Sequence, residues 1–310
     1  MSASAPPARK ALLIVNARSR SGRSALDGPR SVLAAAGIAI VDGPSGDGPG
    51  GGGPGGDGFD AAAAIRAHAA DGITEVLVGG GDGTMNAAAP GLVATGLPLG
   101  ILPLGTANDL ARSLDIPTDP VAAARIIAAG HRRTIDLGQV NDRYYFNVAS
   151  IGFSAVLARE LSAEAKRRWG VLGYAITAFR LLRRMRPFTA TITHDGGQMR
   201  SRTIQVAVGN GRHYGGGLTV DAEARPDDGM LDVYSLEIDH WWRLIALAPA
   251  LRRGTHGTWS DVRTLRTTGC TIATRRPMQV NADGEIVTTT PARFRVHPAA
   301  VQIFAPPAAP

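Results

Sequence analysis

A glycine-rich run follows the largely apolar stretch Glu75–Val78, a predicted strand, and reads Gly79-Gly80-Gly81-Asp82-Gly83-Thr84. Glycine has no Cβ, so the backbone N–H groups of such a turn can approach a phosphate closely. A helix is expected to follow, and the positive end of its dipole would point at the same place. Asp82 adds a carboxylate where Mg²⁺ or a substrate hydroxyl would lie beside a polyphosphate. The pattern therefore indicates phosphoryl-transfer chemistry.

A second polar turn follows the apolar stretch Leu99–Leu102 and reads Pro103-Leu104-Gly105-Thr106-Ala107-Asn108-Asp109. Taken alone it allows a plainer interpretation, because Thr106 or Asn108 could serve only as the N-cap of the next helix. Two successive strand–turn–helix units, however, bring both turns to the carboxyl edge of a parallel sheet, where ligands bind in open α/β folds. The pair favours a binding site over two ordinary helix starts.

The elements that must position these turns alternate between strand and helix through the first half of the chain. Besides the two apolar stretches, strands are predicted at Ala11–Asn16 and Ile38–Val41, and helices at Ser24–Ala36, Ala61–Ala70 and Val121–Ala129. Such alternation predicts an α/β domain with a parallel sheet, placed at residues 1–133.

From about Thr134 onward, short alternating or β-branched runs replace this pattern. They predict strands at Tyr144–Val148, Thr189–Thr193, Thr203–Val208, Leu231–Leu236, Arg263–Thr267, Thr271–Ala273, Met278–Asn281 and Arg293–Val296. These runs are typical of an antiparallel β-sandwich, predicted for residues 134–310, with the C-terminal tail a candidate to return to the first domain. Because domain junctions favour ligand pockets, the site is predicted in the cleft between the two domains.

Composition is consistent with a two-domain enzyme. The chain has 310 residues, of which 44% are hydrophobic, enough for sizeable cores. No apolar run is long enough to span a bilayer, and residues 1–10 lack the apolar stretch of a signal peptide, so we expect a cytoplasmic protein. Cys270 is the single cysteine, and the seven histidines show no metal-ligand spacing, which leaves zinc chemistry without support.

The phosphate-binding lysine of a P-loop is absent. No G-x-x-x-x-G-K-[ST] motif occurs, and Lys10 and Lys166 are the only lysines. Phosphoryl transfer would therefore rely on backbone N–H groups, Mg²⁺ and arginines. Arg18, Arg20 and Arg23 follow the first predicted strand as candidates for phosphate contact, although at least one of them is expected to be an ordinary solvated charge.

The ordered set of motifs resembles the bacterial diacylglycerol kinase-type lipid kinases, which are related to sphingosine kinases and, more distantly, to NAD kinases. The resemblance begins at Asn16 and includes both polar turns. It continues through Ile135-Asp136-Leu137-Gly138, Asn147–Phe153, Pro226-Asp227-Asp228-Gly229-Met230-Leu231-Asp232 and Asp283-Gly284-Glu285. It therefore covers nearly the whole chain and is far more specific than any single motif.

This resemblance implies ATP as phosphoryl donor, Mg²⁺ as cofactor and a membrane lipid as acceptor. The implied ATP-binding residues are Asn16, Arg23, Gly80, Gly81, Gly83, Thr84, Asn86, Gly105, Thr106, Asn108 and Asp109. Asp82 and Glu285 are the two candidate catalytic residues, and which of them is the base stays open. Asp228 and Asp136 are the implied metal residues, with a plain Asp-Gly turn as the equal alternative for Asp228.

The chain departs from the family pattern in two places. Gly43–Gly58 consists mostly of glycine and proline, where related kinases usually carry a threonine or serine segment that contacts the nucleotide. Such a stretch cannot bury apolar surface, so we predict a flexible, low-complexity loop without function. In addition, Asn86 is followed by Ala87 where the family commonly has a glutamate.

Basic residues concentrate between Ala155 and Arg186. Apolar residues recur there at helical spacing, which predicts an amphipathic basic helix that carries Arg180, Arg183 and Arg184. Such a helix suits an anionic membrane surface, although packing on the sandwich with solvated arginines is the open alternative. Nucleic acid is not expected as a partner, because aromatic residues make up only 5% of the chain and no nucleic-acid-binding module occurs.

The sequence thus predicts an ATP- and Mg²⁺-dependent kinase that phosphorylates a hydroxyl of a diacylglycerol-like lipid, peripheral at the inner face of the membrane. Two alternatives remain: a NAD kinase-like enzyme acting on a soluble dinucleotide, and a nucleotide-binding module without catalysis. The acceptor lipid and the oligomeric state, a homodimer among the options, cannot be inferred from the sequence.

Overall fold

A computed structural model describes residues 9–16, 23–46, 60–160, 186–211, 213–214, 218–219, 224–238 and 241–307. The predicted helix with Arg180, Arg183 and Arg184 lies outside these residues, as do Arg18 and Arg20.

The chain forms two compact units, one comprising residues 1–135 and 299–310, the other Asp136–Pro298. In the first, strands and helices alternate. They are β1 Lys10–Asn16, α1 Asp27–Ala35 after a short 3₁₀ turn, β2 Ala39–Gly46, α2 Ala61–His68, β3 Glu75–Gly80, α3 Asp82–Thr95, β4 Leu99–Pro103, α4 Asp109–Ser113, α5 Pro120–Ala129 and β5 Arg132–Val140, the last of which continues into the second unit.

The remaining elements are mostly strands. They are β6 Arg143–Tyr145, β7 Val148–Gly152, α6 Phe153–Glu160, β8 Phe188–His194, β9 Gly197–Thr203, β10 Gln205–Gly209, β11 His213–Tyr214, β12 Leu218–Thr219, β13 Leu231–Leu236, α7 Trp241–Arg253, β14 Val262–Thr267, β15 Gly269–Thr274, β16 Gln279–Ala282, β17 Glu285–Thr289 and β18 Ala292–Phe304. No helix among the described residues is both long enough and apolar enough to cross a membrane.

The first unit is built on a parallel sheet in the order β2-β1-β3-β4, to which the end of β18 adds by pairing Ile303 with Leu99. Its strands are continuous apolar runs because helices cover both faces of such a sheet, and Leu12, Ile14 and Leu77 are fully buried. This arrangement confirms the α/β prediction and puts the carboxyl ends of β3 and β4 side by side.

In the second unit, two antiparallel sheets enclose one apolar core. One sheet has the order β14-β13-β10-β7-β16-β17, and the other contains β18, β15, β8 and β9. Both contribute alternate residues to the same cluster, for example Ile151 and Val206 from the first sheet and Ile192 and Phe294 from the second. The predicted antiparallel sandwich is confirmed. The sheet with β8 and β9 alternates because one of its faces is buried, whereas β7, β10 and β13 are buried on both faces, the second face by Leu247 and Leu251 of α7.

The loop predicted at Gly43–Gly58 is placed too early in the chain. Gly43–Gly46 belongs to β2, so the predicted first boundary of the loop is wrong. There Ser45 pairs with Val15 and Gly46 with Asn16 in a parallel ladder that passes a register shift. The backbone N–H and C=O groups of β1 can be satisfied by any paired strand, so the ladder extends into residues without core side chains. Residues 47–58 lie outside the described part of the chain.

The single strand predicted at Tyr144–Val148 is also wrong, since Phe146 and Asn147 separate β6 from β7. At this break the N–H groups of Phe146, Asn147 and Val148 leave the ladder and bond to the Asp283 side chain instead. A side-chain acceptor from a distant part of the chain has therefore replaced strand pairing at this break.

Candidate active site

The first glycine turn joins β3 directly to α3. Gly79 and Gly80 belong to the strand, and the helix begins one residue later at Asp82. A Cβ on Gly80 would lie 2.5 Å from Oγ1 of Thr84, so this position requires glycine. Thr84, whose N–H donates to the carbonyl of Gly81 at 2.9 Å, closes the first helical turn. The chain therefore passes from strand to helix with no side chain covering the turn.

The second turn, between β4 and α4, is locked by Asn108. This residue has a left-handed backbone, with φ 52°, and its buried side chain bonds twice to Gly105. Oδ1 accepts from the Gly105 N–H at 3.0 Å, and Nδ2 donates to the Gly105 carbonyl at 3.1 Å. Asparagine tolerates this backbone conformation better than most residues. Asn108 therefore shapes the turn, while neighbouring Thr106 is exposed.

The two turns touch through their backbones. A Cβ on Gly105 would lie only 2.5 Å from Cα of Gly81, and the Leu104 N–H donates to the Gly80 carbonyl at 3.0 Å. No side chain other than hydrogen fits between them. The glycines thus produce a paired backbone surface of the kind that a polyphosphate can approach.

Asp82 links the two glycine turns. Its Oδ2 accepts from the Asp109 N–H at 3.2 Å, and its Oδ1 accepts from the Leu110 N–H at 3.1 Å. These N–H groups begin α4 and would otherwise have no intrahelical acceptor. A carboxylate at a helix N-terminus is also favoured by the helix dipole. Asp82 consequently holds the second turn in place.

A pocket of about 300 Å³ opens at the second turn. It is lined by Pro103, Leu104, Gly105, Thr106, Asn108, Arg112, Thr118 and Pro120. The Thr106 hydroxyl and the exposed Arg112 guanidinium are donors suited to phosphate oxygens. Close to the first turn, the buried Oδ1 of Asn86 has no hydrogen-bond partner among the described residues. Both features fit a polar ligand.

For two of the other predicted ATP-binding residues, the structure describes the backbone but not the side chain. Asn16 ends β1 and Arg23 begins the short 3₁₀ turn before α1, but their side chains lie outside the described part of the structure. Gly83 lies in the first turn of α3, and Asp109 is the buried first residue of α4. The predicted ATP residues from Gly80 to Asp109 therefore belong to the two touching turns and the helices that follow them.

In the second unit, Glu285 begins β17 after a tight turn at Asp283 and Gly284. Both turn residues have positive φ, and the Gly284 N–H donates to Oδ1 of Asn281 at 3.0 Å. The Asp283 carboxylate accepts from the N–H groups of Phe146, Asn147 and Val148, at 2.8, 3.1 and 2.9 Å respectively. The turn that presents Glu285 is therefore fixed to the break between β6 and β7.

Burial and the neighbouring Asp283 carboxylate raise the pKa of Glu285 to about 7, although Arg143 opposes the shift. Desolvation disfavours the charged form, and a nearby like charge adds to the same effect. A carboxyl group with such a pKa exchanges protons readily at neutral pH, which is the property required of a general base or acid.

Asp136 and Asp228, the two implied metal residues, lie at the same turn, residues 226–229. Oδ2 of Asp136 accepts from the Gly229 N–H at 2.7 Å, next to Asp228. Asp228 itself accepts from the Met230 N–H at 3.0 Å and pairs with Arg266. The described residues contain no group of three or more acidic, histidine or cysteine side chains placed to hold a metal. The Gly229 and Met230 N–H groups and Arg266 brace this turn, and the metal role of Asp136 and Asp228 stays a prediction.

Sequence reasoning missed three residues of these sites. Asp283 was noted only as part of a turn signature, whereas it fixes the turn through three N–H groups. Arg112 lines the pocket and Arg266 pairs with Asp228. A helix-start position after the Asn-Asp pair is a usable signal for Arg112, but no local pattern could reveal Arg266, which is 38 residues from its partner.

Comparisons with known proteins agree with this geometry. Residues 10–140 match the diacylglycerol kinase catalytic domain family, and residues 147–305 match the YegS C-terminal NAD kinase beta sandwich-like domain family. A diacylglycerol kinase of Mycobacterium tuberculosis is 36% identical over 260 residues, which cover 81% of this chain and 82% of that protein. A protein of Pseudomonas putida named "Probable lipid kinase YegS-like" is 32% identical over 253 residues, which cover 81% of this chain and 83% of the relative.

A solved structure of a diacylglycerol kinase from Bacillus anthracis superposes with a TM-score of 0.78 at 26% identity. The superposition covers 97% of this chain and 98% of the other. The likeness thus extends over both units.

Proposed function

We propose, on the premise that this chain belongs to the family of lipid kinases defined by the diacylglycerol kinase catalytic domain, that it transfers the γ-phosphate of ATP to a hydroxyl of a diacylglycerol-like membrane lipid. The catalytic domain implies ATP use. The acceptor and the dependence on Mg²⁺ are the parts that we propose.

The observation that carries the proposal is the backbone contact between Gly81 and Gly105, held by the bond from Asp82 to the start of α4. Two glycine turns in contact offer converging N–H groups and no side-chain obstruction. Thr106 and Arg112 extend this donor set into the pocket. In phosphoryl transfer, such positioning and charge stabilisation supply most of the catalysis.

Glu285 is the proposed general base. Its carboxylate takes the proton of the lipid hydroxyl, the resulting oxygen forms the new bond to the γ-phosphorus, and the bond from that phosphorus to the β-γ bridging oxygen breaks to release ADP. The pKa of about 7 supports this role. Asp82 is less suited to it, because both of its oxygens already accept backbone N–H groups.

Mg²⁺ enters this proposal as part of the ATP substrate, where it neutralises phosphate charge. The alternative, a resident ion at Asp136 and Asp228, has a direct test in the protein without nucleotide. A resident ion would raise the Tm on addition of Mg²⁺, and Asp228→Asn would remove that rise. A turn braced by Arg266 predicts no such rise in either protein.

The proposed location is cytoplasmic and peripheral, on the inner face of the membrane, where the lipid acceptor is found. The predicted basic helix with Arg180, Arg183 and Arg184 is the proposed contact with anionic lipid.

The decisive experiment incubates the protein with γ-labelled ATP and, in parallel, with vesicles from a panel of lipid alcohols or with NAD. We expect label in a lipid, with diacylglycerol among the acceptors, and none in NADP. Glu285→Gln provides the matched inactive control. Label in NADP alone would establish the dinucleotide kinase instead, and label in neither, despite ATP binding, would indicate a non-catalytic module.

A further inference from the structure

One sheet of the second unit exposes an outer face formed by β9, β8, β15 and β18 in that order. Alternation defines it, because Ile192, Ile272 and Phe294 point into the core. The residues between them therefore point outward. They are Thr189, Thr191 and Thr193 on β8, Gln198, Arg200 and Arg202 on β9, Thr271 and Ala273 on β15, and Arg293, Arg295 and His297 on β18.

The charge of this face has a single sign. Its four arginines are all exposed, and none of the outward positions named above is occupied by aspartate or glutamate. Within the described part of the chain, Arg200, Arg202 and Arg293 form no ion pair, and Arg295 bonds to the neutral amide oxygen of Gln139 at 2.5 Å. Three arginines elsewhere on the surface, Arg243, Arg263 and Arg266, do pair with carboxylates.

The geometry of the face is that of a broad platform. Arg200 and Arg202 lie on β9, opposite Thr191 and Thr189 of β8, and Arg293 lies opposite Thr271 of β15. With strands about 4.8 Å apart, the arginines of β9 and β18 lie three strand spacings, or roughly 14 Å, apart across the sheet. They are also offset along the strands, because Arg293 is in line with Gln198, and threonine hydroxyls lie between them. Such a surface offers guanidinium forks at its sides and neutral donors in the middle, both of which bind phosphate oxygens.

We propose that this arginine face binds the anionic phospholipid headgroups of a bilayer surface. The proposal rests on the proposed function only for its choice of occupant, because an enzyme that acts on a membrane lipid must reach a surface of this chemistry. A flat array of unpaired arginines without carboxylates complements the negative potential of such a leaflet, and each cation near the surface contributes to binding. The residues of this face are not those of the helix predicted at Arg180–Arg184, and their binding to lipid does not require catalysis.

The test measures cosedimentation with vesicles of phosphatidylcholine alone and of phosphatidylcholine mixed with phosphatidylglycerol, without ATP. The triple variant Arg200→Glu, Arg202→Glu, Arg293→Glu should lower the partition coefficient for the anionic vesicles by roughly 10²-fold or more. The matched control is Arg66→Glu with Arg125→Glu and Arg252→Glu, which makes the same charge change on helices α2, α5 and α7. It should have a much smaller effect.

A second triple variant, with lysine at Arg200, Arg202 and Arg293, guards against misfolding, since it keeps the charge and should keep the binding. Equal losses in the face and control variants would overturn the proposal, because the effect would then follow net charge alone. Unchanged binding in a folded Glu variant would overturn it too. Phosphorylation of a short-chain, water-soluble diacylglycerol tests the proposed function separately, and it should survive all these substitutions.

Discussion

Oδ1 of Asp82 accepts a hydrogen bond from the backbone N–H of Leu110, 3.1 Å away and 28 residues later in the chain. The bond means that the carboxylate of the first glycine turn also caps the N-terminus of α4, the helix that follows the second turn. Replacement of Asp82 therefore has two separable consequences, one for stability and one for phosphoryl transfer.

Asp82→Asn should lower kcat by roughly 10²-fold or more, because the amide removes a negative charge and loosens the alignment of the two turns. It should also cost about 1 kcal/mol of unfolding free energy, the usual scale for a helix-terminal acceptor. Steady-state kinetics and thermal unfolding measure the two effects.

Asp60→Asn is the control for that experiment. Asp60 is the N-cap of α2, where its Oδ1 accepts from the Ala63 N–H at 2.9 Å. Because asparagine retains an oxygen that can accept this bond, we expect a smaller loss of stability and an unchanged kcat. Near-wild-type turnover of Asp82→Asn would remove Asp82 from the mechanism and leave it as a structural cap alone.

Glu285 should control the pH dependence of turnover. With a pKa of about 7, its base form accumulates as the pH rises through neutrality, so kcat should increase between pH 6 and 8 and then level off. Glu285→Gln should abolish this rise and reduce kcat by roughly 10²-fold or more. A rise of the same midpoint in the Gln variant would assign the titration to another group.

Folding stability supplies an independent readout of the same carboxyl group. Its folded pKa of about 7 lies above the ordinary glutamate value of 4.5, so the native state binds the proton more tightly than the unfolded chain does. The contribution of Glu285 to stability is therefore fully present below about pH 4.5 and is lost as the pH rises to about 7. Glu285→Gln should accordingly raise the Tm relative to wild type at pH 8 more than at pH 5.

Gly105→Ala should abolish ATP binding. The added Cβ would lie 2.5 Å from Cα of Gly81 and 2.7 Å from Oδ1 of Asn108, so one of the two turns must move. Equilibrium binding of an ATP analogue measures the effect. Gly96→Ala is the control, since Gly96 has φ +68° and an added Cβ would meet nothing within 4 Å. It should cost about 1 kcal/mol of stability and leave the affinity for nucleotide unchanged.

The sequence predicted the architecture well because the spacing of apolar residues within a single strand shows how many of its faces are buried. Largely apolar runs such as Glu75–Val78 specify strands covered on both faces, and alternation such as that of Thr189–Thr193 specifies strands covered on one. The glycine turns were also visible, since their composition allows few other structures. What the sequence could not reveal was which polar groups meet over long separations.

Asp82 and Asp283 illustrate that limit. Each bonds to N–H groups of a distant segment, and the choice of segment depends on the register of the sheet and not on neighbouring residues. The loop prediction for Gly43–Gly46 is wrong because local composition was given too much weight. The composition of this segment predicts a loop, but the segment pairs with β1 through backbone groups, and this pairing does not depend on core side chains.

The glycine- and proline-rich segment 47–57 should be dispensable. It contains no residue that could fill a core, and the closure entropy of a loop changes slowly with length, so shortening it should alter stability by only about 1 kcal/mol. The deletion begins after Gly46 because β2 needs Ser45 and Gly46 for its pairing with β1. Loss of ATP binding in a variant that retains its fold would show that this segment supplies the nucleotide contact that related kinases take from their threonine or serine segment.

The predicted basic helix calls for a membrane experiment of its own. Replacement of Arg180, Arg183 and Arg184 by glutamate should weaken binding to phosphatidylglycerol vesicles severely, because each arginine near an anionic surface contributes about 1 kcal/mol at low ionic strength. Salt should reproduce the effect by screening. Activity on a short-chain, water-soluble acceptor should remain, since these charges are not part of the proposed phosphate site. Unchanged vesicle binding in this variant, together with a loss in the Arg200, Arg202 and Arg293 variant, would assign membrane contact to the arginine face alone.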